Sequence, residues 1–473
     1  MGIDRQTVVI GGGISGLACA YRLQRLGSRV TLLEASDRLG GMIATERRNG
    51  FLFEAGPQCP RFPRAVWELV RELGLEREFL RADSRAKRYV VKNGKLYQAP
   101  FSLWAFLSTP LVGLGAKLRL VTEPLRRWQP PASEESIAAF VRRKFGAQML
   151  DYLVDPFVSA VFFADPDQMA MDSAVPSLPK WEREYGSVFH GALKSRKAKN
   201  SAQASTHLAD FLPPLGSFRT GLAALPDRLA ERLGTNVRLR AQVESVEVPT
   251  AGSWPNWRIR LRGGEELAAE SVVVAAPAYA AAAMLQRGAP QLSSALQAIS
   301  YAPLVVVSSA YARSQVRHSL DGFGVMFPRR EGLHAILTTW TSSLFAGRAP
   351  EDKVLLTTFA RPMPHDTFLD LPNGAIGAVV EDEVGSILDV SGAPAERMVW
   401  KHAKALPQFQ VGHAQRVAAI RESARVFPGL YLAGNYFRGR SLDDCVESGF
   451  NAAEEAHAVP DAAAACVQRA GRT

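Results

Sequence analysis

The alternation of apolar and polar positions divides the chain into regions of different secondary structure. Apolar runs at residues 7–10 and 29–33, separated by a glycine-rich turn and an amphipathic segment, predict a strand, a helix and a second strand. Apolar residues at helical spacing predict amphipathic helices over residues 135–162. Short β runs whose spacing suits an antiparallel sheet follow at residues 304–312, 322–328, 333–341 and 353–361. The chain is therefore expected to combine α/β and α+β architecture.

Composition and charge restrict the kinds of partner. A chain of 473 residues suits two or three domains, and 47% hydrophobic with 22% charged residues is typical of a globular protein. The net charge of +10 comes from dispersed basic residues without a binding module, so we expect no nucleic-acid partner. Cys19, Cys59, Cys445 and Cys466 lack metal-ligand spacing. We expect reduced thiols, no metal site and, without an apolar leader before the first strand, a cytoplasmic location.

An uncharged stretch at residues 96–116 raises the question of a membrane. Pro100, Pro110 and two glycines interrupt it, and a lipid-exposed span must satisfy its own backbone groups, so we expect no transmembrane helix. Trp104 and basic flanking residues are typical of a surface that lies on a bilayer. A buried helical hairpin explains the same pattern, and both interpretations remain open.

The first turn carries a nucleotide-binding pattern. Gly11, Gly13 and Gly16 fit G-x-G-x-x-G between the first strand and the first helix, with Ile14 and Ser15 at the helix start. Such glycines permit a tight turn, the approach of a pyrophosphate and close helix packing. Glu34 ends the second strand, where a carboxylate accepts hydrogen bonds from ribose hydroxyls. The motif predicts a dinucleotide site without separating NAD from FAD.

The residues that follow favour FAD. "EASDRLGGMIAT", "FEAGPQ" and "NVRLRAQVESVEV" resemble the flavin-containing amine oxidase and phytoene desaturase superfamily. The resemblance implies a non-covalent FAD and a Rossmann-like domain assembled from separate segments. It adds to the expected cofactor contacts Ala35, Arg38, Gly40, Gly41, Gly56, Pro57 and Val243.

Longer stretches resemble the oxygen-dependent protoporphyrinogen oxidases. They are "KRYVVKNGKLYQAP", the block from residue 155 to 193, "TSSLFAGRAP", "KALPQFQVGHAQRV" and "GNYFRGRSLDDCVESG", in the family's order. The resemblance implies an FAD-binding domain, a helical membrane-facing insert, an antiparallel-sheet substrate domain and a tail. The FAD-binding domain is expected at residues 1–85 with 206–285 and 411–460. The helical insert is expected at 86–205, the substrate domain at 286–410 and the tail at 461–473.

The late stretch is the family's third FAD segment. By resemblance a strand ends at Gly434, and the backbone at Arg440, Ser441 and Leu442 contacts the cofactor. The helix that follows would point its N-terminus at the flavin edge that becomes negative on reduction. We expect Asp443 or Asp444 to cap this helix.

The resemblance implies six-electron oxidation of protoporphyrinogen IX to protoporphyrin IX in haem biosynthesis. Dioxygen would be the acceptor and hydrogen peroxide the second product, with the chemistry carried by the flavin and no catalytic side chain assigned. Arg88 is expected to bind a substrate carboxylate. The pocket walls are expected at Phe323, Gly324, Met326 and Phe359. Family membership further implies a homodimer attached peripherally to the inner face of the membrane.

Departures from the family pattern leave alternatives. Ala160, Phe163 and Ala164 replace residues of the usual "VSGVYAGDP", Phe359 is larger than the usual residue, and "GPQCPR" replaces Gly-Pro-Asn-Ser-Phe. Coproporphyrinogen III oxidation remains an alternative, which extra pocket cations would favour. A carotenoid-type desaturase or amine oxidase, or a catalytically silent carrier, would share the FAD frame.

Overall fold

The computed structural model describes residues 6–126, 131, 133–199, 213–249 and 256–458. The expected tail at 461–473 and the expected boundary at residues 205 and 206 lie outside these ranges. Short apolar runs, most of them four to eight residues long in sequence, become the strands of this part of the chain. In chain order they are β1 Gln6–Ile10, β2 Arg29–Leu33, β3 Thr45–Arg48, β4 Phe51–Glu54, β5 Phe79–Arg81, β6 Arg88–Lys92, β7 Lys95–Gln98, β8 Gly216–Phe218, β9 Val237–Arg238, β10 Val243–Glu247, β11 Trp257–Leu261, β12 Glu266–Ala269, β13 Ser271–Val274, β14 Tyr301–Ala312, β15 Gly324–Met326, β16 Ala335–Trp340, β17 Lys353–Ala360, β18 Glu396–Pro407 and β19 Leu430–Leu432.

Helices cover the sheets and form a separate layer in the first half of the chain. In chain order they are α1 Ile14–Arg25, α2 Arg64–Glu72, α3 Leu103–Ser108, α4 Leu114–Val121, α5 Ile137–Lys144, α6 Ala147–Met149, α7 Asp155–Phe162, α8 Met171–Ala174, α9 Ser177–Tyr185, α10 Val188–Lys199, α11 Ala224–Leu233, α12 Ala278–Leu285, α13 Pro290–Gln297, α14 Thr341–Leu344, α15 Asn373–Leu388, α16 His413–Arg425 and α17 Leu442–Ala458.

A parallel sheet in the order β19-β13-β1-β2-β9 gathers segments from both ends of the chain. Its strands are almost wholly apolar because both faces are covered, as expected for a parallel sheet. Helices α1, α11 and α17 pack on one face, and α12, α13 and α16 pack on the other beside the small sheet β10-β11-β12. This is the doubly covered Rossmann-like arrangement that the first glycine motif predicted.

A seven-stranded sheet in the order β18-β14-β17-β16-β15-β6-β7 forms the second core. Helix α15 covers one face, and α7 lies against the other. Strands β6 and β7 belong to this sheet, although they fall within the range expected for the helical insert. The pair β6–β15 is parallel, so the sheet is mixed. The expectation of a purely antiparallel sheet was therefore wrong in this respect.

The helical layer runs from α3 to α10 and exposes apolar side chains on α3 and α4. Trp104 and Leu114 are 81% and 77% exposed, and Leu103, Leu118 and Leu125 are exposed as well. Across the described ranges, no helix has both the length and the hydropathy needed to cross a membrane. The uncharged stretch therefore contains the end of β7, helix α3 and the start of α4. Its inner face buries Phe106 and Val112, while its outer face exposes Trp104 and Leu114, which a fully buried hairpin would not do.

Candidate cofactor and substrate site

The turn between β1 and α1 uses each of its three motif glycines differently. Gly11 has a φ of 111°, and a Cβ there would lie 2.9 Å from the carbonyl oxygen of Ala275. A Cβ on Gly16 would lie 1.9 Å from the carbonyl oxygen of Gly11, so this glycine lets α1 pack on the strand. No atom lies within 4 Å of a Cβ placed on Gly13. Gly13 thus faces open space at the start of α1, where a phosphate group is expected.

The carboxylate of Glu34 braces this turn from the end of β2. Its Oε2 accepts a hydrogen bond from the backbone N–H of Gly12 at 2.7 Å, and its Oε1 accepts one from that of Ser36 at 2.8 Å. Ala35 lies between them and is exposed. The acid therefore lies beside the glycine turn, as expected for a ribose ligand.

Val243 lies close to this edge through a short connection. The N–H of Ala241 donates to the carbonyl oxygen of Glu34 at 2.8 Å, and the buried Val243 opens β10 two residues later. The structure thus places Val243 beside the second strand, where the resemblance implies the adenine end of the cofactor.

Arg38, Gly40 and Gly41 form a second loop against the first turn. The N–H of Gly40 donates to the carbonyl oxygen of Gly12 at 2.8 Å, and a Cβ on Gly41 would lie 3.2 Å from the Cα of Gly13. The Arg38 guanidinium donates to the carbonyl oxygen of Gly41 at 2.6 Å. Arg38 therefore ties its own loop together, and its guanidinium is exposed at the edge of the cradle.

Gly56 and Pro57 follow β4 and meet this loop. A Cβ on Gly56 would lie 2.1 Å from the carbonyl oxygen of Met42, so only glycine fits here. The buried Gln58 donates from Nε2 to the carbonyl oxygens of Gly56 at 3.1 Å and of Glu54 at 3.0 Å. Burial raises the pKa of Glu54 to about 7.

The late stretch enters the same cradle from β19. The N–H of Ala433 donates to the carbonyl oxygen of Val274 at 3.0 Å, which continues the pairing of β19 with β13. Gly434 then turns away with a φ of 150°, and its N–H donates to Ser448 Oγ at 2.9 Å. The loop from Gly434 to α17 is thereby held against the helix that follows it.

Ser441 is the N-cap of α17, and the expectation of a cap at Asp443 or Asp444 is corrected. Ser441 Oγ accepts from the N–H of Asp444 at 3.1 Å, while the Asp444 carboxylate accepts from the N–H of Ser441 at 3.1 Å. This reciprocal pair is a capping box in which the acid occupies the third helical position. Leu442 is the first helical residue.

Helix α17 packs closely on the N-terminal turn of α1. A Cβ on Gly449 would lie 2.2 Å from the carbonyl oxygen of Ser15, so glycine permits close packing of the two helices. Ile14 and Leu442 belong to the same apolar cluster. The buried Cys445 thiol has a pKa raised to about 12 by burial, consistent with a structural thiol.

The Arg440 side chain turns into an apolar environment beside this loop. Its Nη1 donates to the carbonyl oxygen of Pro407 at 3.1 Å, and its guanidinium carbon lies 5.5 Å from the Phe162 ring and 5.2 Å from the Phe409 ring. Burial lowers the pKa of Arg440 to about 10. The resemblance indicated only a backbone contact, and it missed this buried cation.

The residues gathered here fit an FAD. Two helix N-termini supply unpaired N–H groups and positive dipole ends at one place. Gly13 leaves open space at the first of them, and the Gly41 and Gly56 contacts close the loops around it. Residues from positions 11 to 442 therefore gather around the first glycine turn and would hold the FAD there.

Arg88 begins β6, the strand next to the edge strand β7 of the seven-stranded sheet. Its guanidinium carbon is 4.7 Å from the Phe323 ring and 5.5 Å from the Phe101 ring. Nη1 donates to the carbonyl oxygens of Ser84 and Ala86 at 3.3 and 3.2 Å. Burial, and then the charge of Arg61, lower the pKa of Arg88. Among the described residues no carboxylate forms an ion pair with it.

The other expected wall residues face α7 from the sheet. Gly324 pairs with Arg88, and a Cβ on it would lie 2.0 Å from the carbonyl oxygen of Thr338, so its role is strand packing. Met326 packs in a cluster with Ala160 of α7, and Phe359 packs with Phe163.

This apolar face connects the two parts of the site. Met42, which follows Gly41 in the cofactor loop, belongs to the same cluster as Phe359. An apolar wall therefore runs from the FAD cradle towards Arg88. The described residues contain no cluster of histidine, cysteine or acidic side chains that could hold a metal ion.

Comparisons with known proteins agree with this arrangement. A family model described as flavin containing amine oxidoreductase matches residues 14–457. The chain is 31% identical to protoporphyrinogen oxidase 1, chloroplastic, of Arabidopsis thaliana, over 96% of this chain and 88% of that protein. It is 28% identical to coproporphyrinogen III oxidase of Bacillus subtilis, over 96% and 98% of the two chains. A crystal structure from Exiguobacterium sp. 255-15, provisionally named a protoporphyrinogen oxidase, superposes with a TM-score of 0.81 at 24% identity, over 97% and 99%.

Proposed function

The chain belongs to the flavin containing amine oxidoreductase family, as an FAD-dependent oxidoreductase that groups with the protoporphyrinogen oxidases, and we propose that it oxidises protoporphyrinogen IX to protoporphyrin IX. The reaction would serve haem biosynthesis, use dioxygen as acceptor and release hydrogen peroxide. Relatives named for two porphyrinogen substrates support the substrate class.

The observation that carries the proposal is the apolar wall between the cradle and Arg88. A porphyrinogen is a largely apolar macrocycle with carboxylates on one edge. The cluster of Met326 and Ala160 and the cluster of Phe359 and Phe163 supply apolar contact for the ring. Arg88, held between two aromatic rings, supplies a cation for the carboxylate edge.

The roles of the protein follow from this geometry. The glycine turn of Gly11 to Gly16 and the loop before α17 would hold the FAD, whose contribution would be hydride acceptance and reoxidation by dioxygen. Arg88 would orient the macrocycle by its carboxylate edge, and Phe359 and Met326 would exclude water from its face. The N-terminus of α17, capped by Ser441, would place its positive dipole end beside the cofactor.

Coproporphyrinogen III is the second candidate substrate, because a relative named for its oxidation matches 96% of this chain. The aromatic pair of Phe163 and Phe359 favours protoporphyrinogen IX instead, because it reduces the space available for the bulkier coproporphyrinogen III.

We place the protein peripherally on the inner face of the membrane, with α3 and α4 as the docking face. Exposed Trp104, Leu114 and Leu125 would enter the interface. A homodimer belongs to the same proposal, and sedimentation of the holoprotein checks it.

Anaerobic reduction of the holoprotein tests the substrate class. We expect protoporphyrinogen IX or coproporphyrinogen III to bleach the flavin absorbance, and putrescine, representing amine substrates, to leave it unchanged. Bleaching by the amine alone would move the protein to the amine oxidases. A flavin that none of the three bleaches would favour a carrier.

A further inference from the structure

A second arginine stands beside the expected carboxylate ligand, on a different loop. Arg61 follows the Gly56-Pro57 turn, and its backbone bridges to Leu215. Its Nη1 donates to the carbonyl oxygen of Pro213 at 2.7 Å. This contact anchors the guanidinium through one of its terminal nitrogens. Within the described ranges, the other guanidinium N–H groups of Arg61 have no protein acceptor, and none of their nitrogens is fully buried.

The same cluster of side chains joins Arg61 to Arg88. Cys59 packs with Phe323, whose ring Arg88 covers at 4.7 Å. Burial raises the pKa of the Cys59 thiol, and the charges of Arg88 and Arg61 partly oppose this rise. Leu215, which pairs with Arg61, and Phe323, which Arg88 covers, belong to this cluster with Cys59, so the two arginines flank the same small cluster.

Two guanidinium groups held close together, partly buried, repel each other unless an anion lies between them. Burial lowers the pKa of Arg61 and of Arg88. The carboxylate that acts on Arg88 within the described residues is Asp83, which is exposed and accepts the N–H of Arg85 at 2.8 Å. Within the part of the chain that the structure describes, neither guanidinium forms an ion pair with a carboxylate.

We infer that Arg61 and Arg88 together form a two-arginine site that binds the neighbouring propionates of the porphyrinogen. Protoporphyrinogen IX carries its two propionates on adjacent pyrrole rings, which matches two cations at one end of an apolar slot. A guanidinium offers a planar fork of donors to each carboxylate. The inference rests on the proposed function and adds Arg61 as a specificity-determining residue that the sequence pattern did not reveal.

Steady-state kinetics of the holoprotein test this site with two substrates, protoporphyrinogen IX and its dimethyl ester. We expect Arg61→Gln to raise KM for the diacid about ten-fold, the loss of one charge-assisted pair, with kcat changed by no more than about two-fold. On the ester, where no carboxylate remains, the variant and the wild type should have the same KM. Arg61→Lys, which keeps the charge, should recover most of the loss.

The controls separate binding from structure. Arg64→Gln, three residues further and 92% exposed in its side chain, should leave KM for both substrates unchanged. An equal rise in KM for diacid and ester in Arg61→Gln would assign Arg61 to the support of the Pro213 loop and overturn the inference. So would an unchanged KM for the diacid. A wild-type holoprotein that oxidises neither substrate would overturn the proposed function, and the inference with it.

Discussion

The ring of Phe163 lies 5.0 Å from the ring of Phe359, with 55° between their planes. Phe163 ends α7 in the left-handed conformation, with a φ of 45°, which costs an L-residue on the order of 1 kcal/mol. Both residues depart from the family pattern, one on the helix and one on the sheet. The contact brings together, on the apolar wall, two changes that are distant in sequence.

The aromatic pair is expected to restrict the size of the substrate. Phe163→Ala should raise the ratio of kcat/KM for coproporphyrinogen III to that for protoporphyrinogen IX about ten-fold, because it opens space beside Phe359. Porphyrin fluorescence measures both rates. Phe157→Ala, on the outer side of the same helix, is the matched control and should leave the ratio unchanged. An equal change for both substrates would contradict a role in selection.

The motif glycines should separate cofactor binding from folding. Gly13→Ala places its Cβ in open space, so apoprotein stability should be preserved while FAD affinity falls at least about ten-fold. Gly16→Ala places its Cβ against the carbonyl oxygen of Gly11 and should lower the free energy of unfolding by roughly 1–3 kcal/mol or more. FAD titration and urea unfolding measure the two effects. Full FAD affinity in Gly13→Ala would place the pyrophosphate elsewhere.

Glu54 should make stability depend on pH. Burial raises its pKa from an ordinary 4.5 to about 7, so the folded state binds the proton more tightly than the unfolded state. The stabilisation is present below pH 4.5 and is lost as the pH rises to about 7. Relative to Glu54→Gln, the wild-type free energy of unfolding should fall by roughly 2–3 kcal/mol across this window. Urea unfolding at saturating FAD measures this free energy at each pH. Parallel pH profiles for the wild type and Glu54→Gln would contradict a buried carboxyl group at Glu54.

The exposed face of α3 and α4 should bind membranes. Trp104→Ser combined with Leu114→Ser removes two large apolar side chains, and should reduce the fraction bound to anionic phospholipid vesicles several-fold, since burial is worth about 25 cal/mol per Å². Val426→Ser, at a position 67% exposed on another surface, is the control. Vesicle sedimentation measures the bound fraction. Equal loss in the control, or none in the double variant, would place the docking face elsewhere.

Local patterns predicted the parts of the site that local geometry determines. Gly11, Gly13 and Gly16 lie within one turn, so spacing alone indicated the strand, the turn and the helix. The cap of α17 shows the limit of such patterns. Serine and aspartate are both good N-caps, and Ser441 was separated from Asp443 and Asp444 only by where the helix begins.

Contacts between distant segments could not be predicted from spacing. Strands β6 and β7 fell inside the expected helical insert because their place in the sheet depends on β15, more than two hundred residues later. Arg61 belonged to a motif noted only as a departure, and its relation to Arg88 exists only after both loops pack around Cys59. Likewise, only the contact of Phe163 with Phe359 indicates that the end of α7 borders the apolar wall.

Aerobic turnover of the FAD-loaded protein tests the central claim most directly. Purified holoprotein is mixed with protoporphyrinogen IX or coproporphyrinogen III, and porphyrin fluorescence and hydrogen peroxide are followed together. The account predicts faster formation of protoporphyrin IX, with three molecules of peroxide for each porphyrin. A yellow, FAD-bound protein that forms neither porphyrin faster than the uncatalysed reaction would contradict it.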